Sequence, residues 1–231
     1  MDEVYKKVSK FSLEKFGEFF GNIPRIISSP SIFFETIDGS DKEFVKASAF
    51  ALVVGSLMAI LSTPSYKIHD LNLEPSFYAI DIMISWILFA TYALQTWFVC
   101  KIFMGRGGVI STMSAFFYSM AILVFVKMFE IPSRIIRDEE LLGCNLTAET
   151  ADKMSQAVYS NTYAVSSEMY VAIGYFIFFI VLTNLVKTIH NFGVLRSIAV
   201  SLTSLYTISI TVSYIQRPVT GSLLCAFKQN V

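Results

Sequence analysis

A chain of 231 residues with 54% apolar side chains and 16% charged ones is far greasier than a soluble domain, in which about a quarter of residues carry charge. Its mean hydropathy of +0.58 and its 21 Phe assign it to a membrane. Eighteen basic residues balance eighteen acidic ones, so there is no electrostatic surplus for nucleic acid, and none is expected as a partner.

Residues 1–28 are dense in Lys and Glu and lack a continuous apolar core, which is not the pattern of a cleaved signal peptide. In "VYKKVSKFSLEKFGEFF", Val4, Val8, Phe11 and Phe19 fall near one helical face and the charges on the other. That predicts an amphipathic helix lying in the membrane interface, within an N-terminal cytoplasmic segment 1–43. The segment closes with "PSIFF", Pro30 to Phe34, and then six charges between Glu35 and Lys46.

A helix needs about 20 mostly apolar residues to cross the hydrocarbon core. Five stretches qualify: 44–63, 77–99, 109–129, 169–186 and 195–215. They are continuous rather than alternating, so they read as helices and not as barrel strands. The expected fold is all-α: a polytopic five-helix transmembrane bundle over 44–217, with an outer loop 130–168 and an outer tail 218–231.

In the first span Ala47, Ala51, Gly55 and Ala59 recur every four residues, flanked by Ser48 and Ser56. Lipid tails are as apolar as Leu, so helices in a membrane associate by close packing. The stripe is therefore a docking face for another helix. Leu57, offset from it, is expected to face lipid. The second span carries Asp81 about one turn inside its outer end and finishes at Cys100. "GRGG", Gly105 to Gly108, makes a tight connection to the third span. That span ends with Lys127, Glu130 and Arg134 at ion-pair spacing. On the fourth span Asn184, Lys187, His190 and Asn191 share one side as the helix reaches the cytoplasm. They form a candidate polar functional cluster, because charged groups in spans are functional candidates. The fifth span has a hydroxyl face, Ser197, Ser201, Ser204, Thr207 and Thr211, which reads as helix glue rather than as a pore lining.

Lys and Arg decide orientation. With the N-terminus in the cytoplasm, eleven basic residues lie inside and seven outside. The N-terminus is therefore expected inside and the C-terminus outside. Cys144 in the outer loop and Cys225 in the tail then share the oxidising side. They are a candidate disulfide that would add roughly 2–4 kcal/mol, against the alternative of two unrelated buried thiols. His69 and His190 fall on opposite sides of the membrane. The chain has no CxxC, HExxH, P-loop or GxSxG motif, so no enzymatic activity, metal or cofactor is expected.

The order of parts carries a resemblance. "PSIFF" leads into five clustered spans, and the Gly-rich connection runs into "GGVISTMSAFFYSMAIL", Gly107 to Leu123. Over about Ser29 to Arg217 the chain resembles the Yip family of Ypt/Rab-interacting five-span membrane proteins, and most closely their prokaryotic type. Tyr118-Ser119 stands where many members show Gly-Tyr-Ser, with Phe117 in place of the Gly. The Asp-Leu-x-Gly-Pro motif and long cytoplasmic tail of eukaryotic members are absent, and the outer loop is longer than their pattern. These departures point to a bacterial plasma membrane rather than to Rab binding. The resemblance implies a non-enzymatic scaffold or adaptor whose partners are membrane lipids and another membrane protein, and an oligomer is compatible with it. The alternative is a small transporter or channel subunit for lipid or ion. That would need Asp81, Gln95, the fifth-span hydroxyls and the fourth-span cluster to face one cavity.

Overall fold

A serine interrupts the N-terminal helical run. In the computed structural model, which describes residues 17, 20–68, 74–140, 148–216 and 219, residues 20–28 form α1. Ser29 separates it from α2, Pro30–Glu35. Proline suits a helix start, where its missing N–H is not needed, and cannot continue the helix before it. The expected face of Val4, Val8 and Phe11 lies outside the described residues.

The first span, α3 (Asp41–Leu61), opens on a serine cap: the Ser40 hydroxyl accepts from the Glu43 N–H at 3.2 Å. A short α4 (Thr63–Ile68) follows. The second span, α5 (Pro75–Ile102), again begins with proline. The third span comprises α6 (Val109–Ser119) and α7 (Ala121–Glu140). It breaks at Met120, where the Ser119 hydroxyl takes the Phe116 carbonyl at 2.7 Å and the Leu123 N–H turns back only three residues to Met120. A side chain entering the backbone ladder is an ordinary cause of a helix irregularity. Next come α8 (Ala148–Ser160) and the fourth span, α9 (Thr162–His190). The Asn161 side chain caps α9 by accepting from the Tyr163 and Ala164 N–H groups, and Asn191 closes it in the left-handed conformation at φ 55°. The fifth span is α10 (Val194–Thr211), continued by a π turn, Val212–Gln216.

Five helical segments are thus long and apolar enough to cross a membrane, and no strand occurs among the described residues. The chain is an all-α polytopic bundle. The helices overrun the apolar stretches. α9 starts at Thr162 and not at 169, and much of the expected outer loop is helix: the end of α7, all of α8 and the start of α9. Hydropathy marks only the part of a helix that meets lipid, whereas the backbone ladder runs on until a cap stops it.

The third span is the centre of the bundle. Of its apolar stretch 67% is buried, against 22–33% for the other four. Phe116, Phe117 and Met120 are fully enclosed there. Around it the pattern is inside-out, with Ile80, Met83, Ile87, Leu94 and Phe98 of α5 exposed in a row, as a lipid-facing surface requires. Tyr118 joins three elements: its ring meets Phe33 of α2 edge-on at 5.4 Å and Phe50 of α3 at 5.0 Å, and its hydroxyl donates to Glu43 at 2.9 Å.

Ala47, Ala51, Gly55 and Ala59 are all buried. At Gly55 the neighbour is α5: a Cβ there would lie 3.5 Å from the Ile82 carbonyl oxygen and 3.5 Å from Ser85 Cβ. One methyl fits at ordinary contact distance, and Ala is about 1 kcal/mol better than Gly inside a helix. A branched side chain has nowhere to go. Gly55→Ala is expected to hold or raise thermal stability in detergent, and Gly55→Leu to lower it by about 1–3 kcal/mol. Equal melting curves for the two would refute close packing at this position. Leu57 does not face lipid as expected. It packs partly against the core, and Val45, Leu52 and Ile60 are the exposed large apolar side chains of α3.

Candidate functional site

The connection between the second and third spans folds onto the end of the fourth. The Gly105 N–H donates to the Cys100 carbonyl at 2.8 Å, and the Arg106 N–H reaches the His190 carbonyl at 3.4 Å. Lys101 Nζ donates to the Gly105 carbonyl at 3.1 Å. A Cβ on Gly105 would stand 2.6 Å from His190 Nδ1 and 2.9 Å from the Cys100 oxygen, and one on Gly107 would stand 2.7 Å from the Ile189 oxygen. Both glycines are there because backbone meets backbone. His190 is 1% exposed. Its Nε2 lies 3.0 Å from the Thr112 hydroxyl, and its ring stacks on Phe192 at 5.8 Å.

The expected cluster of Asn184, Lys187 and His190 therefore divides. His190 points into the bundle, whereas Asn184 and Lys187 lie on the side facing α2. Six residues at about 100° each carry His190 some 240° round the helix from Asn184, so the three do not share a face. Asn191 stays with the α2 side. The Ser31 hydroxyl donates to the Asn184 side-chain oxygen at 2.8 Å, and the Asn184 amide donates to the Ile180 carbonyl at 2.8 Å. Below this contact Ser31, Glu35, Lys187, Thr188, Asn191 and Phe192 line an open cleft of about 250 Å³. Arg196 sits over the outer part of the Phe192 ring, 5.7 Å from its centre.

A charged network occupies the opposite end. Glu130 faces three cations: Lys127 at 3.0 Å, Arg134 at 3.9 Å and Arg137 at 3.8 Å. Arg137 also binds Glu168 of α9 at 2.9 Å, and Arg134 Nε donates to Ser65 of α4 at 3.2 Å. The Ser167 hydroxyl donates to the Phe129 carbonyl. Beside Ser65, the Tyr66 hydroxyl donates to Asp81 at 2.9 Å. Burial, and after it the Asp81 charge, hold the Tyr66 phenol well above its ordinary range.

Other expected residues are placed singly. Gln95 donates to Thr211 at 2.5 Å, and the Tyr92 hydroxyl donates to Gln216 at 2.5 Å. Ser197 bonds back to the Gly193 carbonyl, while Ser201 and Ser204 are buried against the bundle. Cys100 is a buried free thiol. Cys144, Cys225 and His69 lie outside the described residues. Sequence reasoning missed Ser31, Glu35 and Thr188 as neighbours of Lys187, and Arg137 and Glu168 as members of the ion network. The first group had no local signal. The second had a partial one, because Arg137 repeats the helical spacing of Glu130 and Arg134.

Comparison with family models, with curated proteins and with solved structures gives no match to this chain. What the fold defines is a multi-pass helical membrane protein with two polar ends and a packed apolar middle.

Proposed function

We propose that this chain is a non-enzymatic membrane scaffold or adaptor of the Yip type, which organises or recruits other membrane proteins. It sits in a bacterial plasma membrane with its N-terminus in the cytoplasm and its C-terminus outside, the orientation its Lys and Arg distribution favours. One observation carries the reading. Four of the polar groups that a transport path would have to share are engaged with four separate partners: Asp81 with Tyr66, Gln95 with Thr211, Asn184 with Ser31, and His190 with Thr112. Between them lie packed aromatic and aliphatic side chains. Such a bundle presents surfaces rather than a path.

Crosslinking in native membranes, followed by affinity capture of the full chain, tests this. A single strongly enriched membrane protein is the expected result. Faster ion or lipid movement across proteoliposomes containing the purified chain would replace the adaptor with the transporter.

A further inference from the structure

The cleft between α2 and the last turn of α9 has features that a helix contact alone does not require. It is lined by one carboxylate, Glu35, and one ammonium, Lys187, together with the hydroxyls of Ser31 and Thr188 and the amide of Asn191. Among the described residues neither Glu35 nor Lys187 takes part in an ion pair within 4.0 Å. Opposite charges that share a cavity without meeting leave room for a ligand that carries both signs. Arg196, held over the Phe192 ring, adds a second cation beside the wall. The negative pole at the end of α9 favours the ligand's positive end and opposes its negative one, which leaves the negative end to Lys187.

The surroundings identify the source. The cleft lies where the apolar stretch of α9 ends and α10 begins, at the level of a membrane surface. Ile32, next to Ser31, is 64% exposed, and Leu195, next to Arg196, is 85% exposed. Exposed apolar side chains thus stand one residue from Ser31 of the lining and one residue from Arg196, on a surface where acyl chains would lie. Its volume of about 250 Å³ is below the roughly 300–1,000 Å³ of a drug-sized ligand site and suits a small headgroup. We infer that this cleft binds the zwitterionic headgroup of a membrane phospholipid, with the phosphate towards Lys187, Thr188 and Asn191 and a primary ammonium towards Glu35. This stands apart from the adaptor reading and holds whether or not a protein partner exists.

Native mass spectrometry of the full chain in a delipidating detergent tests it. Phosphatidylethanolamine and phosphatidylglycerol with the same acyl chains are titrated in turn. One phosphatidylethanolamine is expected to bind at least ~10-fold more tightly than phosphatidylglycerol. Lys187→Gln should weaken both lipids. Glu35→Gln should weaken phosphatidylethanolamine alone and so abolish the preference. Both side chains are exposed, so melting temperatures without lipid should not move. A lowered melting temperature in both variants would make the charges structural and overturn the inference. Equal affinity for the two lipids, or unchanged binding in both variants, would reduce the cleft to annular lipid contact. Water-soluble glycerophosphoethanolamine binding as tightly as the lipid would overturn the membrane source.

Discussion

Gly105→Ala should unfold the protein at a markedly lower temperature than Gly193→Ala, a change of the same kind at this end of the bundle. The added Cβ would stand 2.6 Å from His190 Nδ1, 2.9 Å from the Cys100 carbonyl oxygen and 2.9 Å from the end of the Phe192 ring. Real Cβ atoms do not approach other atoms so closely, and none of the three neighbours can retreat easily. Cys100 offers backbone, His190 is enclosed on all sides, and Phe192 is pinned between His190 and Arg196. Overpacking of a filled site costs about 1–3 kcal/mol and sometimes more. The upper end applies here, and about 3 kcal/mol corresponds to roughly 6–12 °C in a protein of this size. Gly193→Ala is the control, because a Cβ there meets nothing within 4 Å. Thermal unfolding in detergent compares the two. If their midpoints agree, the connection does not clamp α9. Removing the imidazole as well, in Gly105→Ala with His190→Ala, should cost less than the sum of the two single changes, because one clash disappears with the ring.

The second large effect lies at the other end. Glu130→Ala leaves Lys127, Arg134 and Arg137 around a vacated position. The Lys127 side chain is only 11% exposed, so its charge cannot simply turn to water. Breaking a buried pair by removing one partner costs about 3–5 kcal/mol. Because the Glu130 side chain is itself 29% exposed, an effect of about 3 kcal/mol, near the bottom of that range, is expected. Glu168→Ala removes a single, more exposed pair with Arg137 and should cost no more than about 1 kcal/mol. Chemical unfolding of the two variants checks the ranking. Equal losses would mean that the cations around Glu130 find water or other partners, and that the network does not fasten α7.

Much of this architecture was legible in the sequence because lipid reads sequence simply. Each span needs a long apolar run, and each of the five runs overlaps one of the five candidate spans. The stripe of small residues was visible because a four-residue repeat places one face against a neighbour. The break at Met120 was not visible. It involves no Gly or Pro, only a serine hydroxyl competing for a carbonyl. The helical start of α9 was hidden by polar residues that hydropathy treats as loop, although Asn161 is a recognisable cap. Grouping Asn184 with His190 failed on angle, since spacings of three add up to a departure from the face. Contacts such as Thr112 with His190, 78 residues apart, depend on how the spans are arranged around α6, which no single helix encodes. The lipid cleft belongs to this last kind, because its two charges come from opposite ends of the chain.

The Ser31–Asn184 hydrogen bond joins residues 153 positions apart, and this separation has a consequence for biosynthesis. A ribosome adding about 5–20 residues per second reaches Asn184 roughly 8–30 s after it has made Ser31. Through that interval α2 has no fourth span to lie on, and the apolar side chains that the finished bundle will cover must be sheltered by the membrane surface or by insertion machinery. α2 is therefore made well before the span on which it comes to lie. A ribosome stalled before α9 would display α2 without its α9 contacts, holding only those such as Phe33 with Tyr118.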